Sequence, residues 1–161
     1  VGEDGLILIG GGQVMKGYLN APEKTAEVIV EIDGVRYYKT GDKGHIDHNG
    51  FITIVDRYSR FAKVGGEMIS LGSVEEKLSQ VFDEENQFVA VAVSDDKKGE
   101  SIVLLIKSAL SLDEINERIK GLNVPPIMLP SQVFSVDEIP MLGSGKVDFK
   151  GAKNLAMSLV K

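Results

Sequence analysis

Short apolar runs separated by turn-forming residues dominate the first third of the chain. Their β-branched and aromatic content predicts strands at residues 6–9, 35–39 and 51–55. Asp33-Gly34 and Asn49-Gly50 lie beside these runs, and both dipeptides can adopt the positive φ angles that two-residue hairpin turns require. The pattern therefore predicts a β-rich segment built from hairpins.

One short helix is predicted to interrupt these strands. Asn20 can cap it, and Pro22 suits the first turn because its missing N–H has no partner to lose there. Glu23 stands where a capping-box carboxylate would lie.

From about Gly72 onward the pattern changes to alternating helices and strands. Ser73 with Glu76, and Ser111 with Glu114, each form a Ser-x-x-Glu capping box that predicts the start of a helix. The further elements predicted here are strands at 88–93, 102–106 and 132–136 and a last helix capped by Asp148.

These elements predict an α+β fold in two parts. The boundary is expected near Asp56-Arg57, where hairpins give way to mixed helices and strands. Residues 1–56 would form the β-rich part. Residues 57–161 would form a sheet flanked by helices, with a length typical of a small independent domain.

Composition excludes several classes of function. The net charge of -6 disfavours nonspecific attraction to nucleic acid or anionic lipid, because both select clustered Lys and Arg. The absence of cysteine excludes disulfides, thiolate metal sites and cysteine nucleophiles, and fits the cytoplasm. No apolar run approaches the ~20 residues that span a bilayer, and the first residues lack the features of a signal peptide.

Three polar stretches point to a family when they are taken in order. They are Tyr-Tyr-Lys-Thr-Gly-Asp at 37–42, the segment 55–67 containing Asp-Arg and Lys-Val-Gly-Gly-Glu, and Pro-Met-Leu-Gly-Ser-Gly-Lys-Val-Asp at 140–148. Together they resemble the signature of the adenylate-forming superfamily, which includes acyl-CoA synthetases, peptide-synthetase adenylation domains and luciferase. The resemblance covers essentially the whole chain. It implies the β-rich end of a large AMP-binding domain, followed by a small mobile C-terminal lid domain.

A finer resemblance concerns the stretches Arg60–Lys63, Gly66–Ser70 and Leu142–Lys146. They look like the acyl-acyl-carrier-protein synthetase part of bifunctional 2-acylglycerophosphoethanolamine acyltransferases. This resemblance implies a fatty acid substrate, ATP with Mg²⁺ in the full-length enzyme, and acyl carrier protein or CoA as thiol acceptor. The parent would be cytoplasmic, with an association with the inner membrane.

Asp42 and Arg57 are the candidate nucleotide-binding residues. An aspartate on a tight Thr-Gly-Asp turn presents two oxygens that can accept both hydroxyls of a ribose, and the superfamily uses the matching aspartate in this way. By resemblance, Arg57 also reaches the ribose. Taken alone, Asp42 would cap a turn and Arg57 would form an exposed ion pair.

The hinge of the lid falls by resemblance at Tyr58 and Ser59. Ser59 occupies a position where the family usually has Asp or Lys. Lys63, the adjacent glycines Gly65-Gly66, and Glu67 would line the channel for the phosphopantetheine arm. A plain turn at the two glycines is the alternative.

Lys146 is the candidate catalytic residue. A lysine after Gly-Ser-Gly has a flexible stem and little steric cover, so its ammonium can be inserted between a carboxylate and a phosphate. By resemblance it is the lysine of the adenylation step, and a solvated surface lysine is the alternative. The stretch is not a Walker phosphate loop, because Pro140 and Val147 occupy places that require Gly and Ser or Thr.

Two weaker signals are set aside. His45 and His48 lack a further ligand set in the sequence, so no metal site is predicted. The run 10–12 of three glycines lacks the spacing of a dinucleotide fingerprint.

The resemblance implies an ATP-dependent fatty acid:thiol ligase of the acyl-acyl-carrier-protein synthetase type that acts through an acyl-adenylate. The chain lacks the family's phosphate loop and acyl pocket, so it is expected to be inactive and to bind no cofactor by itself. An ordinary fatty acyl-CoA ligase is the first alternative. The second, of another class, is a non-catalytic module that docks an acidic carrier protein through Arg57, Arg60 and Lys63.

Overall fold

Two sheets, one in each half of the chain, organise the structure. The computed structural model describes residues 1, 2 and 4–160. The chain divides into two compact units, Val1–Ser59 and Arg60–Lys161. The mixed helix and strand content confirms the α+β class predicted from the sequence. The correspondence of residues 1–56 and 57–161 to two domains of a parent enzyme stays a prediction.

The first unit is an antiparallel four-stranded sheet whose central strand is the longest. This strand, β3, pairs with all three of the others, in the order β1–β3–β2 with β4 also on β3. A short helix, α1, precedes β2. The elements of this unit are β1 (Leu6–Gly10), α1 (Pro22–Val28), β2 (Ile29–Ile32), β3 (Val35–Ile46) and β4 (Ile52–Arg57).

Only one of the two predicted hairpin dipeptides forms a two-residue turn. Asp33 and Gly34 have φ angles of 51° and 75°, as such a turn requires. The prediction for Asn49-Gly50 is wrong, because the Asp47 carboxylate organises a longer loop and accepts from the backbone N–H groups of Asn49 and Phe51. Within that loop only Gly50 has a positive φ angle among the residues described.

The start of α1 differs by one residue from the prediction. Pro22 is the first helical residue, as predicted, but the N-cap is Ala21 and not Asn20. Asn20 has a φ angle of 52° and lies in the turn before the helix. The Thr25 hydroxyl holds this turn, because it donates to the Ala21 carbonyl and accepts from the Tyr18 N–H, both at 2.9 Å.

The second unit is a five-stranded sheet with helices on both faces. Its strand order is β6–β5–β8–β7, and β9 pairs with β8 in parallel. One-turn 3-10 helices lie at Tyr58–Arg60 and Pro126–Met128. The elements are β5 (Phe61–Val64), β6 (Glu67–Ser70), α2 (Leu71–Leu78), β7 (Gln87–Asp95), β8 (Gly99–Lys107), α3 (Leu112–Lys120), β9 (Gln132–Ser135) and α4 (Phe149–Leu159).

The antiparallel pair β7–β8 forms the centre of this unit. Nearly every residue of both strands is buried, since alternate side chains enter two different apolar clusters. One cluster joins Ala90 and Leu104 to α2 and α3. The other joins Val91 and Leu105 to Ala156 of α4 and its neighbours. Burial on both faces explains why these strands read as continuous apolar runs in the sequence. None of the helices among the described residues has the length and apolar character needed to cross a membrane.

Two of the predicted helix caps of this unit are confirmed and one is wrong. Ser111 and Glu114 form a complete capping box, and Asp148 caps α4 by accepting from the Gly151 N–H. The predicted cap Ser73 instead lies inside α2. That helix begins directly after β6, with Ser70 as its cap, whose hydroxyl accepts from the Ser73 N–H at 3.1 Å.

Replacing the actual cap should therefore destabilise the second unit more than replacing the predicted one. We expect Ser70→Ala to lower the free energy of unfolding by about 1 kcal/mol, since a backbone N–H of α2 loses its acceptor. Ser73→Ala, the matched control, should change it by less than about 0.5 kcal/mol. Urea denaturation of the two variants measures the difference, and equal losses would contradict the assignment of Ser70 as the cap.

Candidate functional site

The Thr40-Gly41-Asp42 stretch lies inside β3 and does not form the tight turn expected from the sequence. Pairing of β3 with β1 and β4 continues the strand through this stretch. Gly41 has a φ angle of 78°, which bends the strand locally. The buried Thr40 hydroxyl supports the bend, because it donates to the Ile7 carbonyl and accepts from the Asp42 N–H. The Asp42 carboxylate is thus presented from a sheet and not from a loop.

Asp42 and Arg57 face each other across two strands. They are register partners in β3 and β4, and Arg57 Nε lies 3.1 Å from Asp42 Oδ1. Arg57 Nη2 also donates to the Thr40 carbonyl at 3.2 Å. The side chains are 58% and 28% exposed, so the pair contributes little to stability but lies at the surface. The structure therefore brings together the two residues predicted to bind the nucleotide.

The predicted hinge coincides with the 3-10 turn at Tyr58–Arg60. The Tyr58 hydroxyl donates to the Asp4 carbonyl, and Lys43 Nζ lies 5.8 Å from the centroid of its ring. Burial raises the pKa of the Tyr58 hydroxyl, and the charge of Asp4 adds to this effect. Tyr58 is thus fixed to the first unit, whose last residue is Ser59. The hinge role of Tyr58 and Ser59 stays a prediction.

Gly65-Gly66 is the turn of the hairpin formed by β5 and β6. Their φ angles are 59° and 93°, so both residues have the left-handed conformation that favours glycine. No heavy atom of the described residues lies within 4 Å of where a Cβ would stand on either glycine. Backbone conformation explains these glycines, and the chain itself makes no close approach there. Lys63 and Glu67 are exposed on the two strands of this hairpin.

The hairpin is held by the turn between β7 and β8. The Gly65 N–H donates to the Lys98 carbonyl at 2.9 Å, and the Lys63 N–H donates to Glu100 Oε2 at 2.6 Å. Asp95 Oδ1 organises the supporting turn by accepting from the N–H groups of Lys97 and Lys98, both at 2.9 Å. These bonds, led by the one from Lys98, lower the pKa of the Asp95 carboxyl because they favour its ionised form.

A cleft of about 300 Å³ opens beside the same turn, within the second unit. Apolar side chains form most of its wall, including Val64, Ile127 and Leu129, while Lys98 stands at its edge. A narrow cleft with apolar walls and one cation suits an extended, mostly uncharged chain with a polar end.

Lys146 lies on a narrow hairpin that spans residues 140–148. The Leu142 N–H donates to the Lys146 carbonyl at 2.7 Å, and the Asp148 N–H donates to the Pro140 carbonyl at 2.9 Å. Ile139 and Val147 anchor the base of the hairpin in the apolar cluster of α4. The Lys146 side chain is exposed, while the backbone that carries it is fixed. This geometry suits an ammonium that is inserted into a ligand, and it also fits a solvated lysine.

The candidate residues thus form three groups. Asp42 and Arg57 lie together in the first unit. The Lys63 to Glu67 group and Lys146 lie on two separate hairpins of the second unit. Sequence reasoning missed Thr40, whose buried hydroxyl fixes the backbone at Asp42.

The docking surface predicted for the non-catalytic alternative is wrong in one of its three residues. The side chain of Arg60 is only 5% exposed and forms an ion pair with Glu75. Its guanidinium also lies over the ring of Phe149, with Cζ 4.0 Å from the ring centroid. A signal in the sequence could have indicated this burial. Arg60 occupies the same alternate positions as Ala62 and Val64, which point into the core.

The fold is that of the C-terminal part of adenylate-forming enzymes. Over 96% of its length the chain superposes on ATP-bound MatB from Rhodopseudomonas palustris, with a TM-score of 0.77 and 21% identity, and it covers 31% of that protein. No family model matches the chain.

Two curated relatives carry the similarity in sequence. The chain is 34% identical to tyrocidine synthase 2 of Brevibacillus parabrevis over 154 residues, which are 93% of this chain and 4% of that protein. It is 31% identical to the D-alanine–D-alanyl carrier protein ligase of Streptococcus agalactiae over 166 residues, covering 93% of this chain and 31% of the relative. The chain thus spans a third or less of the relatives it matches. It belongs to the adenylate-forming superfamily and corresponds to its C-terminal part.

The lowered pKa of Asp95 predicts a pH-dependent support for the Gly65 turn. A carboxyl whose pKa is depressed on folding stabilises the fold above its unfolded pKa, and this contribution is lost as pH falls through the folded pKa. We therefore expect the amide signals of Gly65, Lys97 and Lys98 to move together in an NMR titration, with a midpoint below the ordinary aspartate range. Asp95→Asn should remove that transition. An unchanged transition in this variant would contradict the assignment, and Asp96→Asn is the matched control.

Proposed function

We propose that the chain is the C-terminal part of an AMP-forming acid–thiol ligase, with the first unit completing the large AMP-binding domain and the second unit acting as its mobile lid. The main support is the geometry of Lys146, an exposed cation on a hairpin whose base is anchored in the core of the second unit. A rigid base lets motion of the whole unit carry the ammonium to a defined position.

The exposed apolar side chains of the first unit support its part in this proposal. Phe51 is 71% exposed and Ile54 is 63% exposed, at the start of β4 and within it. Neighbouring apolar side chains of this size at a surface are typical of a face that packs against more protein. A large AMP-binding domain would provide that protein.

In the first half-reaction, ATP supplies the adenylyl group that the carboxylic acid receives. The Asp42 carboxylate accepts hydrogen bonds from the ribose hydroxyls, and Arg57 orients that carboxylate and reaches the same ribose. Lys146 stabilises the negative charge that develops between the carboxylate and the α-phosphate. The proposal assigns Mg²⁺ to the phosphates of ATP and no residue of this chain to the ion.

In the second half-reaction, the backbone at Tyr58 and Ser59 rotates and exchanges the Lys146 hairpin for the Gly65-Gly66 hairpin at the adenylate. Lys63 and Glu67 flank the turn that faces the entering phosphopantetheine arm. The cleft beside Gly65 supports this assignment because its shape and apolar walls suit such an arm.

The acyl group and the acceptor are finer parts of the proposal. We propose a fatty acid as substrate, which rests on the stretches Arg60–Lys63, Gly66–Ser70 and Leu142–Lys146. We propose acyl carrier protein as acceptor, and the D-alanyl carrier protein ligase among the relatives supports a carrier over CoA. We further propose a cytoplasmic enzyme associated with the inner membrane.

Removing the cation of Lys146 tests the proposed catalytic role. We expect Lys146→Ala in the full-length enzyme to lower the rate of ATP–pyrophosphate exchange by on the order of 10²-fold or more, because developing charge loses its counter-ion. Lys150→Ala, an exposed lysine on α4, is the matched control and should retain the rate. The 161-residue chain alone should give no exchange. Exchange by Lys146→Ala at the rate of the unaltered enzyme would overturn the assignment.

The acceptor is tested by comparing two thiols. With a long-chain fatty acid and ATP, the full-length enzyme should give a kcat/KM for holo-acyl carrier protein at least about tenfold above that for CoA. The apo carrier protein, which lacks the thiol, is the control. A preference for CoA would identify an ordinary fatty acyl-CoA ligase instead.

The non-catalytic docking module is a weaker second candidate. Its surface loses Arg60 to the core, and Arg57 already pairs with Asp42. Of the three basic residues proposed for it, Lys63 has the exposed position that docking requires.

A further inference from the structure

Arg60 lies at the point where the second unit begins, and its side chain is fixed on two sides. Arg60 Nη2 lies 2.5 Å from Glu75 Oε2 of α2, and the face of its guanidinium covers the ring of Phe149. The other carboxylate oxygen of Glu75 accepts from the Ala90 N–H of β7 at 2.8 Å. The first residue of the unit is therefore connected to α2, to the central strand β7 and to α4.

Phe149 connects this cluster to the hairpin of Lys146. It is the first residue of α4 and follows Asp148, which caps that helix and closes the hairpin through its N–H bond to the Pro140 carbonyl. Only Val147 and Asp148 separate Lys146 from Phe149 in the sequence. A displacement of the Phe149 ring would therefore displace the end of the hairpin on which Lys146 lies.

We propose that Arg60 is a positioning residue, which ties the start of the second unit to the Lys146 hairpin through Phe149. This inference rests on the catalytic role proposed for Lys146. Since Arg60 is held by the second unit and Tyr58 by the first, rotation is confined to the short backbone between them. Rotation there then moves Lys146 with the whole unit and is not absorbed by a loose segment.

The guanidinium group is essential to this arrangement. Its planar face stacks on a ring while its edge donates to a carboxylate, and these two contacts form at the same time. A lysine at the same position keeps the charge, but its ammonium cannot present a face and an edge together. Arg60→Lys therefore separates the stacking contact from the ion pair without removing the charge opposite Glu75.

Amide hydrogen exchange on the 161-residue chain tests the structural part of the proposal. We expect Arg60→Lys and Phe149→Leu to speed exchange of the Leu142 and Asp148 amides by at least about fivefold, with the Leu104 amide of β8 unchanged. Arg118→Lys is the matched control, because Arg118 donates to the Val81 carbonyl of the same unit at 3.1 Å, away from this hairpin. Phe149→Leu decides the test if Arg60→Lys fails to fold. Unchanged exchange at the hairpin, or equal acceleration throughout, would overturn the proposal.

Kinetics of the full-length enzyme test whether Arg60 acts through Lys146. Phe149→Leu and Arg60→Lys should each lower kcat of ATP–pyrophosphate exchange by about tenfold, while KM for ATP changes by less than about twofold. In a Lys146→Ala background the same substitutions should cause no further loss, because residues that act as one unit are not additive. Equal losses in both backgrounds would show a merely structural role and overturn the inference. If Lys146→Ala alone caused no loss, the proposed function would fail, while the hydrogen-exchange result would still decide the contact between Arg60 and the hairpin.

Discussion

The antiparallel pairing of β7 with β8 is the constraint on which the second unit depends. The nine register pairs from Gln87–Lys107 to Asp95–Gly99 place alternate side chains on two faces, and a separate set of helices covers each face. The turn at one end of this pair holds the Gly65 hairpin. One face of the same pair holds the base of the Lys146 hairpin. Two candidate sites with different chemistry thus depend on a single pair of strands.

The two units use opposite means of fixing their candidate residues. In the first unit, Asp42 and Arg57 are neighbours across a ladder of backbone hydrogen bonds, so their separation is set by the spacing of paired strands. In the second unit, Lys146 and Gly65 lie on hairpins whose bases are fixed and whose tips are exposed. A pre-arranged pair suits binding of a ligand that stays in place. Exposed tips on a rigid support suit groups that must enter and leave.

Local signals predicted most of the secondary structure, whereas long-range contacts decided where prediction failed. The strands β7, β8 and β9, the capping box at Ser111 and the cap at Asp148 follow from apolar runs and short-range patterns, and all were predicted. Ser73 was predicted as a cap because it has Glu at the third position after it. The end of β6 places the start of α2 earlier, a fact that depends on pairing with β5. The candidate site residues were found by resemblance, but the burial of Arg60 depends on Glu75 and Phe149, which are 15 and 89 positions away.

The hydrogen bond from the Gly65 N–H to the Lys98 carbonyl has a practical consequence for protein engineering. The tip of a hairpin is usually a permissive place for an inserted tag, a fluorophore or a circularly permuted terminus. The Asp95–Lys98 tip lacks that freedom, since its backbone supports a second hairpin. The exposed Asp83–Glu85 segment, which joins α2 to β7, is the better insertion point for reporters in this half of the chain.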